Sequence, residues 1–313
     1  MCLLTVDIGN TRTKFAIYSH ATSKTSAGLL PAPRWHGSIA TALPTEPLSA
    51  DLSPEQNWVR SLFRALELAE SGDRECRECH PDDGSPPPEP ISSQAPENPR
   101  ETWISSVVPD RVQALLQHWP AFGWGHPKVV RSVLDIPLTT NLSAPSELGV
   151  DRALSAFAAS QIRQPHGRMV IISAGTATTV DLIDARGVFR GGSILPGLNM
   201  GAQALHEFTA KLPEIPIPPA EDPPPVPFGR ETASAIWSGL YWGQVGAIRE
   251  LIARLTSLST EPVQLLLTGG HGPRLAQSLG GQLTLIDDLP LRGLAVLAQM
   301  RRGNADRGTD HHS

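Results

Sequence analysis

The residues best suited to chemistry lie in a short polar turn near the start of the chain, between two apolar segments. Asp7 ends the first apolar segment, and Asn10, Thr11 and Lys14 follow it. Backbone N–H groups and hydroxyls in such a turn can bind phosphate oxygens. A hydrated Mg²⁺ needs few carboxylates, so Asp7 is a candidate ligand for it. For this segment alone, a surface hairpin with an Asn-Thr turn is the alternative.

A second segment of the same kind runs from an apolar strand at Met169 through the turn Gly175-Thr176 into another strand. A third apolar strand, ending at Thr268, leads into the glycine-rich turn 269–272. Two phosphate-type hairpins indicate a duplicated α/β fold that holds a nucleotide between its halves. This plan resembles the acetate kinase, sugar kinase, Hsp70 and actin superfamily, in which such a glycine-rich turn lies against the adenosine. The resemblance implies two RNase H-like domains with the active cleft between them.

Apolar residues at helical spacing and helix-start signals predict the surrounding helices. We expect them at 53–70, 110–119, 147–163, 198–211 and 230–258. The last carries small residues at close-packing spacing: Ser238, Gly239, Gly243 and Gly246. Either a subunit interface or an internal helix contact fits this pattern, and we take the helix as the candidate interface.

Composition along the chain sets the domain limits. We predict a first domain at 1–132, a second at 133–302 and a polar tail at 303–313. The proline-rich, acidic tract 72–100 is predicted to be a disordered insertion in the first domain. Cys76 and Cys79 lie in this tract with His80, and we expect a solvated loop with two free thiols, because haem attachment needs export and a zinc site needs two more ligands.

Charge and hydropathy exclude several classes of function. The chain of 313 residues is long enough for two domains with their own cores. The net charge is −5 without a basic cluster, which argues against nucleic acid as a partner. No apolar run approaches the roughly 20 residues of a membrane helix. The first apolar run breaks at Asp7 and lacks a basic leader, so we expect no signal peptide and a cytoplasmic protein.

Several motifs occur together in an order that resembles the type III pantothenate kinases. The resemblance covers nearly the whole chain outside 72–100. It rests on the first hairpin with Lys14, the strand 104–109, the segment 149–152, the second hairpin 175–181, the segment 191–197, and the residues 212–213 and 229–232 that follow. The family phosphorylates pantothenate with ATP to give 4′-phosphopantothenate, the first step of coenzyme A biosynthesis, and it is dimeric.

The resemblance implies a role for individual residues. Asp151 would accept the proton of the substrate hydroxyl, and we expect the helix N-terminus to favour its ionised form. Arg152 would bind the pantothenate carboxylate or orient Asp151, and Asp181 would support the second hairpin or an ion. Residues implied for ATP are Asp7, Ile8, Gly9, Asn10, Thr11, Arg12, Thr13, Lys14 and Thr176, and those implied for pantothenate are Gly149, Val150, Asp151, Arg152 and Thr232. The cofactors implied are Mg²⁺, tentatively at Asp7, and a monovalent cation, K⁺ or NH₄⁺.

Two positions depart from the family pattern. Ser173 stands where the family carries an aspartate that helps bind the monovalent cation, and a hydroxyl is the weaker ligand. Leu142 stands where the family carries a tyrosine that lines the pantothenate pocket. These departures leave two alternatives to a pantothenate kinase: a catalytically weakened or regulatory relative, and a kinase of another small alcohol.

Overall fold

The chain forms two five-stranded mixed sheets. The computed structural model describes residues 2–19, 30–41, 53–71, 99–122 and 125–309. The first sheet has the strand order β3-β2-β1-β4-β5. Its antiparallel part is β1, β2 and β3, and β4 and β5 run parallel to β1. The strands span Cys2–Ile8 (β1), Arg12–Ser19 (β2), Trp35–Ala40 (β3), Pro99–Ser106 (β4) and Lys128–Val130 (β5).

The second sheet repeats this topology. Its strand order is β10-β9-β6-β7-β8, with β6, β7 and β8 antiparallel and β9 and β10 parallel to β6. The strands span Arg168–Ala174 (β6), Ala177–Ile183 (β7), Phe189–Pro196 (β8), Val263–Thr268 (β9) and Leu283–Leu285 (β10). Each half therefore begins with two antiparallel hairpins and continues into parallel strands through helical crossovers, so the predicted duplicated α/β fold is confirmed.

Seven helices occur in the described part of the chain. They span Pro54–Ser71 (α1), Pro109–His118 (α2), Val150–Ile162 (α3), Leu198–Glu207 (α4), Thr232–Thr256 (α5), Gly272–Leu279 (α6) and Leu289–Thr309 (α7). The five helices predicted from spacing are all present with shifted ends. The predicted helix start at 147 is wrong, because Pro145–Glu147 is a separate 3₁₀ turn and α3 begins after Gly149. No described helix is long and apolar enough to cross a membrane.

Apolar side chains on both faces of the sheets form three hydrophobic cores. One face of the first sheet packs on α1 and α2, and the outer face of the second sheet packs on α5 and α6. The inner faces of both sheets share one core with α3 and α7 between them. Leu3 and Met169 face this shared core, so Asp7 and Ser173, four residues further along each strand, point to the same side.

Some of the predicted domain and segment boundaries differ from the ends of the helices and strands in the structure. Helix α7 continues to Thr309, so residues 303–309 of the predicted polar tail are helical. Residues 99 and 100 belong to β4, whereas 72–98 of the predicted insertion, with Cys76 and Cys79, lie outside the described residues. The domain boundary at 132 stays a prediction, because α7 contacts β1, β2 and β4 of the first sheet as well as α3.

Candidate functional site

Asp7 ends β1 with its side chain buried on the inner face of the first sheet. Strand register places Ser105 of β4 on one side of it and Lys14 of β2 on the other. The Ser105 hydroxyl donates a hydrogen bond of 2.7 Å to Asp7 Oδ1. Burial raises the pKa of Asp7 to about 6; Ser105 opposes this rise, and the negative charge of Asp151 adds to it. Asp7 and Asp151 are therefore close enough to interact, although they lie on different elements.

The turns of the two hairpins meet across the cleft. Thr11 Oγ1 and Thr176 Oγ1 lie 2.7 Å apart, within hydrogen-bond distance. Each turn is closed by one backbone bond, from Gly9 N–H to the Arg12 carbonyl and from Gly175 N–H to the Ala177 carbonyl, both 3.1 Å long. The polar turn residues Asn10, Thr11 and Thr176 are exposed and available to a ligand. The arrangement can present the polar residues of both turns to one chain of phosphates.

Other residues of the first hairpin use their side chains in the fold. Ile8 is buried in the core that contacts α1 and α2. Thr13 Oγ1 lies 2.9 Å from Thr41 Oγ1 in a buried contact, and the Arg12 guanidinium donates to Ser38 Oγ at 2.7 and 3.0 Å. A contact between Ile8 or Thr13 and a nucleotide would therefore use their backbone atoms.

Asp151 lies in the first turn of α3, directly after the N-cap residue Gly149 and Val150. A Cβ at Gly149 would lie 2.6 Å from Asp151 Oδ1, so a side chain at 149 would displace this carboxylate from its position. Burial raises the pKa of Asp151, and the hydrogen bond from the Arg152 N–H, with the charge of Arg152, offsets this only in part. The predicted effect of the helix terminus is thus outweighed by desolvation.

Arg152 pairs with Asp181 of β7. Its Nε donates to Asp181 Oδ2 at 3.2 Å, and a terminal nitrogen donates to Oδ1. Thr179 Oγ1 also donates to Oδ2, at 3.0 Å. Desolvation alone would lower the pKa of Arg152, but Asp181 outweighs it and the pKa is raised. Asp181 therefore supports the second hairpin through Arg152 and Thr179, and Arg152 links α3 to that hairpin. The two roles predicted for Arg152, binding the pantothenate carboxylate or orienting Asp151, stay predictions.

Lys14 is held by an acidic residue that the sequence motifs do not contain. Its Nζ lies 2.8 Å from Asp288 Oδ1, and His36 Nδ1 lies 3.1 Å from Asp288 Oδ2. Burial alone would raise the pKa of Asp288, but Lys14 and His36 hold it well below its usual range. The pKa values of Lys14 and His36 are raised, chiefly by Asp288. Sequence reasoning missed Asp288 and His36, and no local pattern marks them.

Ser173 occupies the place in the second sheet that Asp7 has in the first. Its register partners are Thr179 on β7 and Thr268 on β9, so three hydroxyl-bearing residues lie side by side. Within the described ranges, no group of three or more His, Cys, Asp or Glu side chains could hold a metal ion. The second half therefore repeats the geometry of the Asp7 position without its charge.

The glycine-rich turn after β9 lies against the end of β6. Gly269 has a φ of +94°, and a Cβ there would lie 2.4 Å from the Ala174 carbonyl oxygen, so this approach requires glycine. The N–H of His271 donates to the same carbonyl at 3.0 Å. Because Ala174 directly precedes the Gly175-Thr176 turn, the predicted adenosine turn is fixed next to the second phosphate turn.

Thr232, predicted to contact pantothenate, is the exposed first residue of α5. Glu231 caps this helix in a capping box with Ser234, so the Thr232 hydroxyl is not the helix cap. The residue lines an open cleft between α4 and α5, whose other lining residues include Leu205, Leu212 and Gly239. Leu142 packs at the edge of the shared core.

Comparisons with known proteins show the family and the fold of this chain. The sequence model of type III pantothenate kinases matches residues 88–254. The fold resembles that of a candidate 2-dehydro-3-deoxygalactonokinase from Sinorhizobium meliloti, with a TM-score of 0.52, 13% identity, and coverage of 95% of this chain and 98% of that one. This neighbour supports the two-domain sugar-kinase-like fold.

Two bacterial relatives match this chain over most of their own length. The chain is 36% identical over 202 residues to a type III pantothenate kinase of Rhodospirillum rubrum, covering 63% of this chain and 74% of the relative. It is 37% identical over 195 residues to that of Caulobacter vibrioides, covering 61% and 72%. The chain belongs to the type III pantothenate kinase family.

Proposed function

We propose that this chain transfers the γ-phosphoryl group of ATP to the 4′-hydroxyl of pantothenate, the first step of coenzyme A biosynthesis. The observation that carries the proposal is the contact between Thr11 and Thr176, which joins both phosphate turns next to β1, where Asp7 interacts with Asp151. Phosphoryl transfer depends on positioning and on offsetting charge, and this cleft supplies both.

Asp151 acts as the general base in this mechanism. The pantothenate oxygen attacks the γ-phosphorus, the bond from that phosphorus to the β,γ-bridging oxygen breaks, and the hydroxyl proton passes to Asp151. The raised pKa of Asp151 makes it a stronger base than an exposed aspartate. Arg152, held by Asp181, keeps a positive charge beside the base and fixes the start of α3 against β7.

The residues present fit a divalent cation. Asp7 is buried, its Oδ1 is oriented by Ser105, and Mg²⁺ bound to phosphates and waters needs only one or two carboxylates. Asp7 would hold the ion directly or through water. When bound, Mg²⁺ supplies charge neutralisation between the phosphates. Lys14, Asn10, Thr11 and Thr176 would contact the phosphates from both turns.

The residues present at Ser173 supply no free carboxylate for the monovalent cation. Ser173, Thr179 and Thr268 offer neutral hydroxyls, and the neighbouring carboxylate of Asp181 is already paired with Arg152. No step in this mechanism passes through K⁺ or NH₄⁺, and we expect turnover without them.

We also propose that the chain forms a homodimer and acts in the cytoplasm, where ATP is available. The glycines 239, 243 and 246 of α5 are exposed, and a Cβ at each would meet open space. Phe208 and Phe228, which are close in sequence to the cleft residues Leu205 and Gly229, are 81% and 62% exposed. Clustered exposed apolar side chains are typical of interfaces. A second subunit on this face would close the cleft beside Thr232.

The test is ADP release by the purified chain with ATP, Mg²⁺ and pantothenate, in potassium and in tetramethylammonium salts. We expect pantothenate-dependent release in both salts, and a loss of about 10²–10⁴-fold in Asp151→Asn. Asp110→Asn is the matched control, because Asp110 is an exposed carboxylate in the first turn of α2. ATP binding without turnover would contradict the proposal, and turnover only with another alcohol would replace pantothenate as the substrate.

A further inference from the structure

Asp288 joins the two halves of the molecule at the candidate phosphate site. It follows β10 of the second sheet and directly precedes α7. Both oxygens of its carboxylate are used by side chains of the first sheet, Oδ1 by Lys14 at 2.8 Å and Oδ2 by His36 at 3.1 Å. A carboxylate with one partner on each oxygen has a defined orientation, so it can fix the direction of a flexible lysine.

The backbone that carries Asp288 is itself anchored. The N–H of Leu289 donates to Thr268 Oγ1 at 3.4 Å, and the N–H of Ile286 donates to the Leu267 carbonyl at 2.9 Å. Asp288 has a φ of +50°, a region that Asp and Asn enter more readily than most residues. These contacts fix the carboxylate relative to β9, and hence to the adenosine turn that follows β9.

Lys14 has donors left for a ligand after pairing with Asp288. A lysine ammonium carries three N–H donors, and the contact with Asp288 uses one. Lys14 also lies beside Asp7 in the strand register. His36 offsets part of the negative charge that Asp288 brings to a site for phosphates. The ammonium is therefore held at the phosphate turn by a carboxylate whose charge a second side chain partly offsets.

We propose that Asp288 is a positioning residue for phosphoryl transfer: it holds the Lys14 ammonium so that its remaining donors meet the phosphates of the nucleotide. This inference rests on the proposed function in placing Lys14 at the phosphates. The competing explanation is that the pair only holds the two halves together. A positioning role predicts an effect on Lys14 in the nucleotide complex and on kcat, whereas a purely structural role predicts a loss of thermal stability alone.

The experiment compares wild type with Asp288→Asn, Lys14→Met and the double variant. Asparagine keeps the shape and tolerates the positive φ. Asp287→Asn is the matched control, because it removes the same charge from the exposed neighbouring residue. Acetylation of Lys14 by acetic anhydride is followed by mass spectrometry with and without Mg²⁺ and a non-hydrolysable ATP analogue. ADP release with pantothenate is measured on the same proteins.

The expected result is that the ATP analogue protects Lys14 from acetylation in wild type and Asp287→Asn, and that Asp288→Asn loses this protection. We expect kcat to fall about tenfold in Asp288→Asn with the KM for pantothenate unchanged. The double variant should be no slower than Lys14→Met, because the two residues act as a unit.

Equal protection of Lys14 in wild type and Asp288→Asn, or an unchanged kcat with only a lower Tm, would overturn the inference. If wild type does not phosphorylate pantothenate, the proposed function fails, and the protection comparison still decides whether Asp288 positions Lys14.

Discussion

At the residue scale, the cleft buries the carboxylate of Asp7, and burial disfavours the ionised form of this side chain. Asp7 is 8% exposed, and burial raises its pKa to about 6 from the 3.8 of a free aspartate. A group with such a raised pKa favours the folded state when it is protonated and disfavours it when it is ionised, because the unfolded chain holds the charge in water. The position is therefore better suited to holding a cation than to stabilising the fold.

Asp7→Asn should stabilise the protein at neutral pH while abolishing turnover. Without Mg²⁺, the gain in the free energy of unfolding should reach about 3 kcal/mol above pH 6 and shrink to about 1 kcal/mol at pH 4.5, where the folded carboxyl is protonated. Urea denaturation in EDTA at pH 7.5 and 4.5 measures both values. A variant that is less stable than wild type at pH 7.5 would contradict the prediction.

At the element scale, the second phosphate turn is held by the start of α4. The N–H of Gly197, the N-cap residue of this helix, donates to the Thr176 carbonyl at 3.1 Å. A Cβ at Gly197 would lie 2.3 Å from the Gly175 carbonyl oxygen and 2.4 Å from that of Thr176. These are backbone atoms that cannot turn aside, so any side chain at 197 must displace the turn.

Gly197→Ala should raise the KM for ATP by about tenfold or more, because the displaced turn would no longer contact the phosphates in the same geometry. Gly303→Ala is the matched control in α7, where a Cβ would meet nothing within 4 Å. We expect the control to keep wild-type kinetics and to gain about 0.5–1 kcal/mol of stability from reduced backbone freedom. Equal kinetics in both variants would show that the turn adapts to a side chain at 197.

At the scale of the whole molecule, the two sheets share one core. Helices α3 and α7 lie between the inner faces of both sheets, and α7 returns the chain to the first sheet after the second is complete. Asp151 at the start of α3 and Asp288 at the start of α7 therefore reach the same cleft from the central layer. Helix α5 lies on the outside, where Ser238 is buried and its glycines are exposed.

Gly243→Glu should convert the proposed dimer into a monomer and lower pantothenate turnover, because a charged side chain would occupy the open face of α5 that we propose as the interface. Analytical ultracentrifugation measures the assembly, and ADP release measures turnover. Arg254→Glu serves as the control. It changes the charge of a side chain that is 79% exposed near the end of the same helix. A wild-type monomer with full activity would rule out the shared cleft.

Local sequence patterns were sufficient to predict the duplicated fold and part of the site. The hairpins around Gly9 and Gly175 are specified by neighbouring residues, since turn chemistry acts over a few positions. The start of α3, predicted at 147, lies at Val150, because a separate 3₁₀ turn comes before it. The strand ends then place Asp7 and the two turns at one cleft. Thr11 and Thr176 come into contact because each half of the duplicated fold brings one of these turns to the cleft.

Only the tertiary structure decided which partner each charged group takes. Lys14 pairs with Asp288, which is 274 residues away, and Asp7 accepts from Ser105, which is 98 residues away. Arg152 takes Asp181 rather than its neighbour Asp151. The physical reason is that burial and distance in space set the strength of these interactions, and both arise only when the sheets and the central helices have packed together.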